Sequence, residues 1–323
     1  MEPNQPKGRG FQIIKKILVT GSSGTIGTRL CEKLLEKGYE VVGADWKPNK
    51  WNKKIEEITV SLDLRNKSEL AKLPKDFDLV IHLAANARVY NLVKNPDLAR
   101  DNFETTFNAL DFARKNNIKR FIFASSRETY GNSGKTVCSE KQAYIQNCES
   151  PYTASKIAGE ALVHSYQGCY GIDFVILRFS NVYGMYDESD RVIPLFIKLT
   201  KKGKDLTVFG KGKLLDFTYI DDAVSGILKA IDNFENAKNG VYNIAFGKGI
   251  LISELAKLIQ KSMAGKSSCE NKLVIKSSRI GEVVKFVADI SKAKKKLGYS
   301  PKINIVDGIE KTVKWYKKNL YSV

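Results

Sequence analysis

A phenol and an amine stand four residues apart in Tyr152-Thr-Ala-Ser-Lys156, a spacing that puts both on one face of a helix. A phenol is a poor base near neutral pH, with an ordinary pKa of about 10. A nearby ammonium favours the phenolate and makes it usable. Such a pair can take the proton of a hydroxyl whose carbon gives up hydride. The hydride needs an acceptor, and Lys16-Ile-Leu-Val-Thr-Gly21-Ser-Ser-Gly24-Thr-Ile-Gly27 reads as part of a site for one: an apolar strand, a glycine turn, then a helix. Gly21 permits a tight turn, Gly24 lets the backbone approach a pyrophosphate, and Gly27 lets the helix pack against the sheet. Exposed N–H groups around Ser23, Thr25 and Ile26, with the positive end of the helix, would hold the phosphates. A second strand, Glu40 to Asp45, completes a βαβ unit. Asp45 falls roughly 20 residues past the turn, where a carboxylate accepts from a ribose 2′-hydroxyl. A 2′-phosphate would be repelled there, so NAD is expected over NADP. A glycine pattern alone is weak; its context between strand and helix gives it weight.

The elements that must position these groups alternate between strand and helix. Glu57 to Leu64 reads as a short strand, with Asp63 and Leu64 placed to meet an adenine. Asp78 to Ala85 reads as a buried strand whose small last residues, Ala84 and Ala85, allow close backbone approach. A helix follows over Asn102 to Lys115, then a strand over Arg120 to Ser126, ending in the hydroxyls of Ser125 and Ser126. The helix over 152–167 carries Tyr152 and Lys156, and Asp173 to Phe179 is a further strand. This alternation implies an α/β fold with a Rossmann-type, doubly wound parallel sheet. Ligands of such sheets bind at the carboxyl ends of the strands. Asp45, Asp63, Ala84, Ala85, Ser126 and Asn181 all fall at or just past such ends; Asn102 and Ser125 complete the expected cofactor set. Beyond about residue 183 the pattern loosens: a helix over Arg191 to Lys201, a strand over Asp205 to Gly210, and an amphipathic helix over Leu251 to Ser262. The expected division is a flexible tail over 1–12 and an NAD-binding domain over 13–182 with a return segment at about 213–245. A smaller substrate lobe takes 183–212 and 246–323.

Composition excludes several classes. At 323 residues and 43% hydrophobic content the chain suits one large domain with a smaller lobe. No apolar run reaches the roughly 18 residues that span a bilayer, and the polar first ten residues lack the apolar stretch of a secretory signal. Five cysteines, at 31, 138, 148, 169 and 269, show no paired metal spacing, and only two histidines are present. No metal site is expected, and a reducing, cytoplasmic compartment fits best. The net charge of +18 is consistent with nucleic-acid binding, but the lysines are spread along the chain and no aromatic-interleaved basic motif occurs. A lysine-rich surface that attracts an anionic substrate is the expected meaning.

As an ordered set the motifs resemble the extended short-chain dehydrogenases/reductases, in their NAD-dependent nucleotide-sugar epimerase/dehydratase group. They are the glycine turn, His82-Leu-Ala-Ala85, Ser125-Ser126 with Tyr130-Gly131, Tyr152-x-x-x-Lys156, Arg178-Phe-Ser-Asn181-Val-Tyr-Gly184, Asp216-Phe-Thr-Tyr-Ile-Asp-Asp222 and Arg279-x-Gly281-Glu282. The resemblance runs from about Lys16 to Trp315. It implies a UDP-hexose 4-epimerase passing through a 4-ketosugar, with Tyr152 as base, Lys156 lowering its pKa and bonding the nicotinamide ribose, and Ser126 bonding the sugar hydroxyl. It implies a UDP-sugar held by Asn181, Val192, Phe209 and Arg279, with Arg127 and Glu128 near the sugar. A homodimer through the helices around 102–115 and 152–167 is implied as well. Two departures matter. Leu214-Leu215 precedes Asp216 where many members carry an arginine, so a second phosphate clamp is missing or supplied elsewhere. Where 4,6-dehydratases carry adjacent Asp and Glu, this chain has Arg127 and Glu128, which argues against dehydration. Glu128 keeps a UDP-glucuronate decarboxylase in view. Arg127 either favours a carboxylated sugar or points to solvent.

Overall fold

The computed structural model describes residues 14–264 and 271–321. The expected tail over 1–12 and Cys269 lie outside the described residues. Seven strands form one parallel sheet: β1 (Lys16–Thr20), β2 (Glu40–Asp45), β3 (Thr59–Ser61), β4 (Leu79–His82), β5 (Arg120–Ser126), β6 (Asp173–Phe179) and β7 (Gly240–Ile244). Their order across the sheet is β7-β6-β5-β4-β1-β2-β3, and every neighbouring pair is parallel. The order reverses between β1 and β4, the point where such sheets open a crevice for ligands.

Alternation along the strands separates two apolar layers. Ile17, Val19, Leu79, Ile81, Ile122, Val175 and Leu177 pack into one buried cluster. Their neighbours Leu18, Val80, Phe121, Phe123, Phe174 and Ile176 pack into the other. Helix α1 (Thr25–Glu36) belongs to the first face, and helices α2 (Asp97–Lys115) and α3 (Pro151–Tyr170) lie together on the second. Helix α3 starts where its sequence says it should: Ser150 Oγ accepts from the Thr153 N–H at 3.2 Å and Pro151 fills the first turn. It ends at Gly171 in the left-handed region.

Element limits differ from expectation at several places. The third strand is only Thr59–Ser61, because Lys53–Glu57 coils into a short helix capped by Asn52. Helix α2 begins at Asp97, directly after Pro96, five residues before Asn102. The segment at 213–245 divides: the helix Ile220–Asp232 packs on α1 and Gly240–Ile244 joins the large sheet, whereas Leu214–Tyr219 lies at the centre of a second sheet. That sheet takes Asn181–Tyr183, Lys285–Ala288, Val137–Cys138 and Gly249–Leu251 from across the chain, the last pairing antiparallel. Leu206–Phe209 pairs separately with Leu273–Lys276. Asp216 fastens the second sheet to its surroundings. Its fully buried carboxylate accepts from the N–H groups of Phe246, Gly247 and Ala288 at 3.2, 2.9 and 3.2 Å, and burial pushes its pKa up to about 7. No helix among the described residues is long and apolar enough to cross a membrane.

Candidate active site

The glycine turn closes at the carboxyl end of β1. Gly21 has a φ of +74°, and its N–H donates to the Ala44 carbonyl at 2.8 Å. A Cβ there would press on the backbone of Leu83 and Ala84, so the turn is fixed against β4 as well as β2. Gly27 serves the turn rather than the strand, since a Cβ on it would overlap the Gly21 carbonyl. A Cβ at Gly24, by contrast, would meet only that carbonyl, at 3.3 Å. The outer side of the turn is open, and Ser23 Oγ is buried there without a protein partner. An open backbone at a helix N-terminus and an orphaned hydroxyl fit a pyrophosphate. Thr25 is less free than expected, because its hydroxyl donates to the Tyr186 carbonyl at 3.0 Å.

Asp45 ends β2 beside this turn. Its Oδ2 accepts from the Ser23 N–H and its Oδ1 from the Lys47 N–H, both at 3.0 Å. Burial pushes its carboxyl above the ordinary value, and these backbone donors oppose the shift. A carboxylate has about four acceptor positions, so capacity remains for ribose hydroxyls. Asp63 is more committed: Arg65 holds it through Nε at 3.0 Å and Nη2 at 2.6 Å and keeps its pKa low. Leu64 is buried beside it, and its carbonyl accepts from Asn108. Asn102 is buried in helix α2. Its buried amide is spent on Asn86, accepting at 2.6 Å and donating at 3.1 Å, and on Ser155 at 3.2 Å. It therefore pins the loop after Ala84 and Ala85 to α2 and α3.

A cavity of about 310 Å³ opens where β4, β5 and β6 end, and Ile26, Ala85 and Ser125 line it on the side of the glycine turn. Tyr152, Lys156 and Ser126 wall the same space. Helix α3 lies against β5, so Lys156 Nζ donates to the Ala124 carbonyl at 2.8 Å and sits 5.1 Å above the Phe123 ring. Burial pulls its pKa down to about 8, with Glu160 opposing. The Tyr152 phenol is pushed up by burial; the neighbouring Ser126 hydroxyl and then the charge of Arg191 pull it down, with Glu128 opposing them. Behind the pair, Glu160 accepts from Ser125 Oγ at 2.5 Å and from Arg178 at 2.8 and 2.6 Å. This buried network holds the ends of β5 and β6 against α3.

On the far side, Arg127 is buried rather than turned to solvent, at 8% exposure. Its Nη2 lies 2.7 Å from Glu128 Oε1, and its Nε donates to Asn181 Oδ1 at 3.3 Å. Burial pushes the Glu128 carboxyl up while Arg127 opposes it. Asn181 also donates to the Asp216 carbonyl at 2.8 Å, so its amide anchors Arg127 while still walling the cavity. Val192 begins the helix Val192–Lys201 at the same wall. Arg279 is half-buried, its guanidinium 3.9 Å from the Phe209 ring centre and 4.8 Å from that of Tyr90. Sequence reasoning missed three cations of this wall. Lys213 pairs with Glu282 at 2.5 Å, Arg88 pairs with Asp190 at 2.7 Å, and Arg191 donates to the Ala87 carbonyl at 3.3 Å. Lys213 stands just ahead of the Leu214-Leu215 gap, which was its one available signal.

Comparison with known proteins agrees with this geometry. The model of the NAD dependent epimerase/dehydratase family matches residues 17–245. A putative UDP-glucose 4-epimerase of Methanocaldococcus jannaschii is 36% identical over 312 residues, covering 94% of this chain and 99% of the relative. The crystal structure of UDP-glucuronic acid 4-epimerase from Bacillus cereus, with UDP-glucuronic acid and NAD, superposes with a TM-score of 0.85 at 33% identity, over 94% of this chain and 99% of that one. UDP-N-acetylglucosamine 4-epimerase from Methanobrevibacter ruminantium, in complex with UDP-N-acetylmuramic acid, gives 0.84 at 29% identity, over 96% and 100%.

Proposed function

The chain belongs to the NAD-dependent epimerase/dehydratase family, with relatives among the UDP-sugar 4-epimerases, and from that premise we propose that it interconverts UDP-hexoses at C4, glucose with galactose or their N-acetyl forms. The observation that carries the reading is the meeting of Tyr152, Ser126 and Lys156 on the wall of one cavity that also takes in Ile26 from the glycine turn's helix. Gly21, Gly24, Gly27, Ser23 and Asp45 hold NAD, whose chemistry when bound is reversible hydride acceptance at C4. Tyr152 takes the proton of the C4 hydroxyl and later returns it. Ser126 bonds that hydroxyl and steadies the phenolate. Lys156 adds positive charge and bonds the nicotinamide ribose. With NAD bound, the cavity would have to let the sugar present either face to it, and the cofactor would be left unchanged over a full cycle. Arg279 holds the diphosphate, with Phe209 near the base.

The relatives are named for UDP-glucose, UDP-glucuronic acid and UDP-N-acetylglucosamine at similar identity, so likeness alone does not select a sugar. The Arg127–Glu128 pair favours an uncharged one, because the arginine's charge is already matched. A homodimer through α2 and α3 is part of the same reading, supported by Phe103 and Phe107 standing 42% and 37% exposed on α2; a monomer in light scattering would remove it. Free thiols at Cys31, Cys138, Cys148 and Cys169 suit a cytoplasmic setting.

The test is a panel of UDP-sugars followed by proton NMR, with purified protein and no added NAD. Interconversion of a neutral pair supports the reading together with a retained cofactor. Consumption of UDP-glucuronate with the neutral sugars unchanged replaces it with a uronate epimerase or decarboxylase.

A further inference from the structure

We propose that the place where the helices Val192–Lys201, Ile252–Ala264 and Ile305–Asn319 end together is a docking face for an anionic lipid surface. Lysines that are spread along the sequence are gathered there by the fold, through a ring of contacts among four segments. Lys201, at the end of the first helix, holds its Nζ 4.0 Å from the ring centre of Tyr321, just past the end of the third. Lys317 of the third donates to the Met263 carbonyl in the last turn of the second, at 3.2 Å. Gln260 of the second donates to the Asn271 carbonyl, and Asn271 to the Lys204 carbonyl, both at 2.7 Å, which closes the ring. Lys201, Lys202, Lys204, Lys261, Lys272 and Lys317 stand exposed around it. None of the six has a carboxylate partner among the described residues, whereas Lys33, Lys72 and Lys238 elsewhere do. Asp205, the carboxylate among these segment ends, accepts from the Lys272 N–H at 2.9 Å.

Two ordinary explanations fall short. Cations offset the negative pole of a helix C-terminus, but only within its last turn, and Lys204 and Lys272 belong to no helix. Drawing an anionic substrate needs charge at the cleft. Val192 to Phe196, Thr207 and Ile252 wall the cavity, and the lysines stand at the opposite ends of those same segments. Lys261 lies about 14 Å along its helix from Ile252. The face therefore meets an anion larger than the cleft's ligand. All six cations are lysines, and these segment ends hold no arginine. Arginine's planar fork grips single phosphates and base edges. Lysine is a point charge that suits a diffuse layer of headgroups, and each one near an anionic bilayer adds to the attraction. Val274 and Ile275 continue the strand Leu273–Lys276 beyond Lys272, at 36% and 51% exposure. Apolar side chains beside ammonium groups suit the boundary of a bilayer and have no use against a phosphodiester backbone.

The experiment is flotation of the purified full chain with vesicles of mixed phosphatidylserine and phosphatidylcholine, against phosphatidylcholine alone. The expected result is binding to the mixed vesicles only, weakened at least about tenfold when salt rises from about 0.1 M to about 1 M. In a Lys202→Glu, Lys204→Glu, Lys261→Glu variant, and in the milder glutamine version of the same three, binding falls at least about tenfold. A control of equal net charge, Lys75→Glu, Lys141→Glu, Lys295→Glu, changes exposed lysines away from this face. It should bind within about threefold of the unaltered protein. Equal loss in the control means that net charge attracts the vesicles, and overturns the proposal. So does unchanged binding in the folded face variants, equal binding to phosphatidylcholine alone, or no binding to the mixed vesicles. Retention on duplex DNA that is lost in the face variants, without vesicle binding, overturns it in favour of nucleic acid. Circular dichroism checks each variant, and the glutamine version decides if the glutamate version does not fold.

Discussion

On the cofactor side of the cleft the groups that would meet a ligand are mostly backbone. The Gly21 turn, the open flank of Gly24 and the N-terminus of α1 are set by one local segment, and Asp45 is tied to it through the Ser23 N–H. On the sugar side they are side chains drawn from distant segments, and most of them are already engaged: Arg127 with Glu128 and Asn181, Lys213 with Glu282, Arg88 with Asp190, Arg279 with Phe209 and Tyr90. A backbone site has little freedom to change its ligand. A site of mutually paired charges can be retuned by one substitution. The contrast fits a family in which relatives of similar identity are named for different UDP-sugars.

The largest expected effect separates the two sides at their junction. Tyr152→Phe removes the proposed base while leaving the ring in place, and turnover should fall by about 10²–10⁴-fold, the range for loss of a general acid–base group. NAD co-purifying with the variant, measured by release and absorbance, should be unchanged. Near-normal turnover would take the proton transfer away from Tyr152. Next in size is Gly27→Ala. Its Cβ would overlap a backbone carbonyl of the turn, and a carbonyl cannot rotate aside as a flexible side chain can. Overpacking of this kind costs about 1–3 kcal/mol, visible as a lower melting temperature with loss of bound NAD. A variant equally stable and fully loaded would show that the turn is softer than its packing implies.

Legibility from sequence followed the same divide. Strands β2, β5 and β6 were recovered to the residue, because long apolar runs bounded by turns specify buried parallel strands. The strand ends were legible for the same reason, since the topology alone carries Asp45, Ala85, Ser125 and Ser126 to one edge of the sheet. The second sheet was not legible. Val137–Cys138, Asn181–Tyr183 and Gly249–Leu251 are two or three residues long, too short for any period to register, and their partners lie far away in the chain. The bonds of the Asn102 amide to Asn86 and Ser155 were not legible at all. Side-chain commitments of that kind, like the pairing of Arg127 with Glu128, leave no trace in spacing.

Asp45→Ala tests whether the cofactor side depends on one side chain after all. The carboxylate holds the Ser23 N–H at 3.0 Å as well as standing where ribose hydroxyls would come. Hydrogen bonds to charged groups contribute about 1.5–3 kcal/mol, so NAD affinity should fall roughly tenfold to a hundredfold by titration calorimetry. Asp45→Asn should recover part of the loss, because its amide oxygen can still accept from Ser23. Unchanged affinity in both variants would remove Asp45 from the site.

The smallest expected effect lies on the sugar side and is the finest test of the contrast. Arg279 holds its guanidinium 3.9 and 4.8 Å from the ring centres of Phe209 and Tyr90. Arg279→Lys keeps the charge and discards the plane, and with it both the stacking and the two-pronged grip on a diphosphate. A cation over an aromatic ring at a partly exposed site is worth about 0.5–1 kcal/mol. The KM for a UDP-sugar should therefore rise about twofold to fivefold, with kcat nearly unchanged and bound NAD untouched. A fall in kcat at constant KM would mean that Arg279 acts on the reacting sugar instead of its nucleotide end. The boundary between the two sides of the cleft would then have to move inward to Arg279.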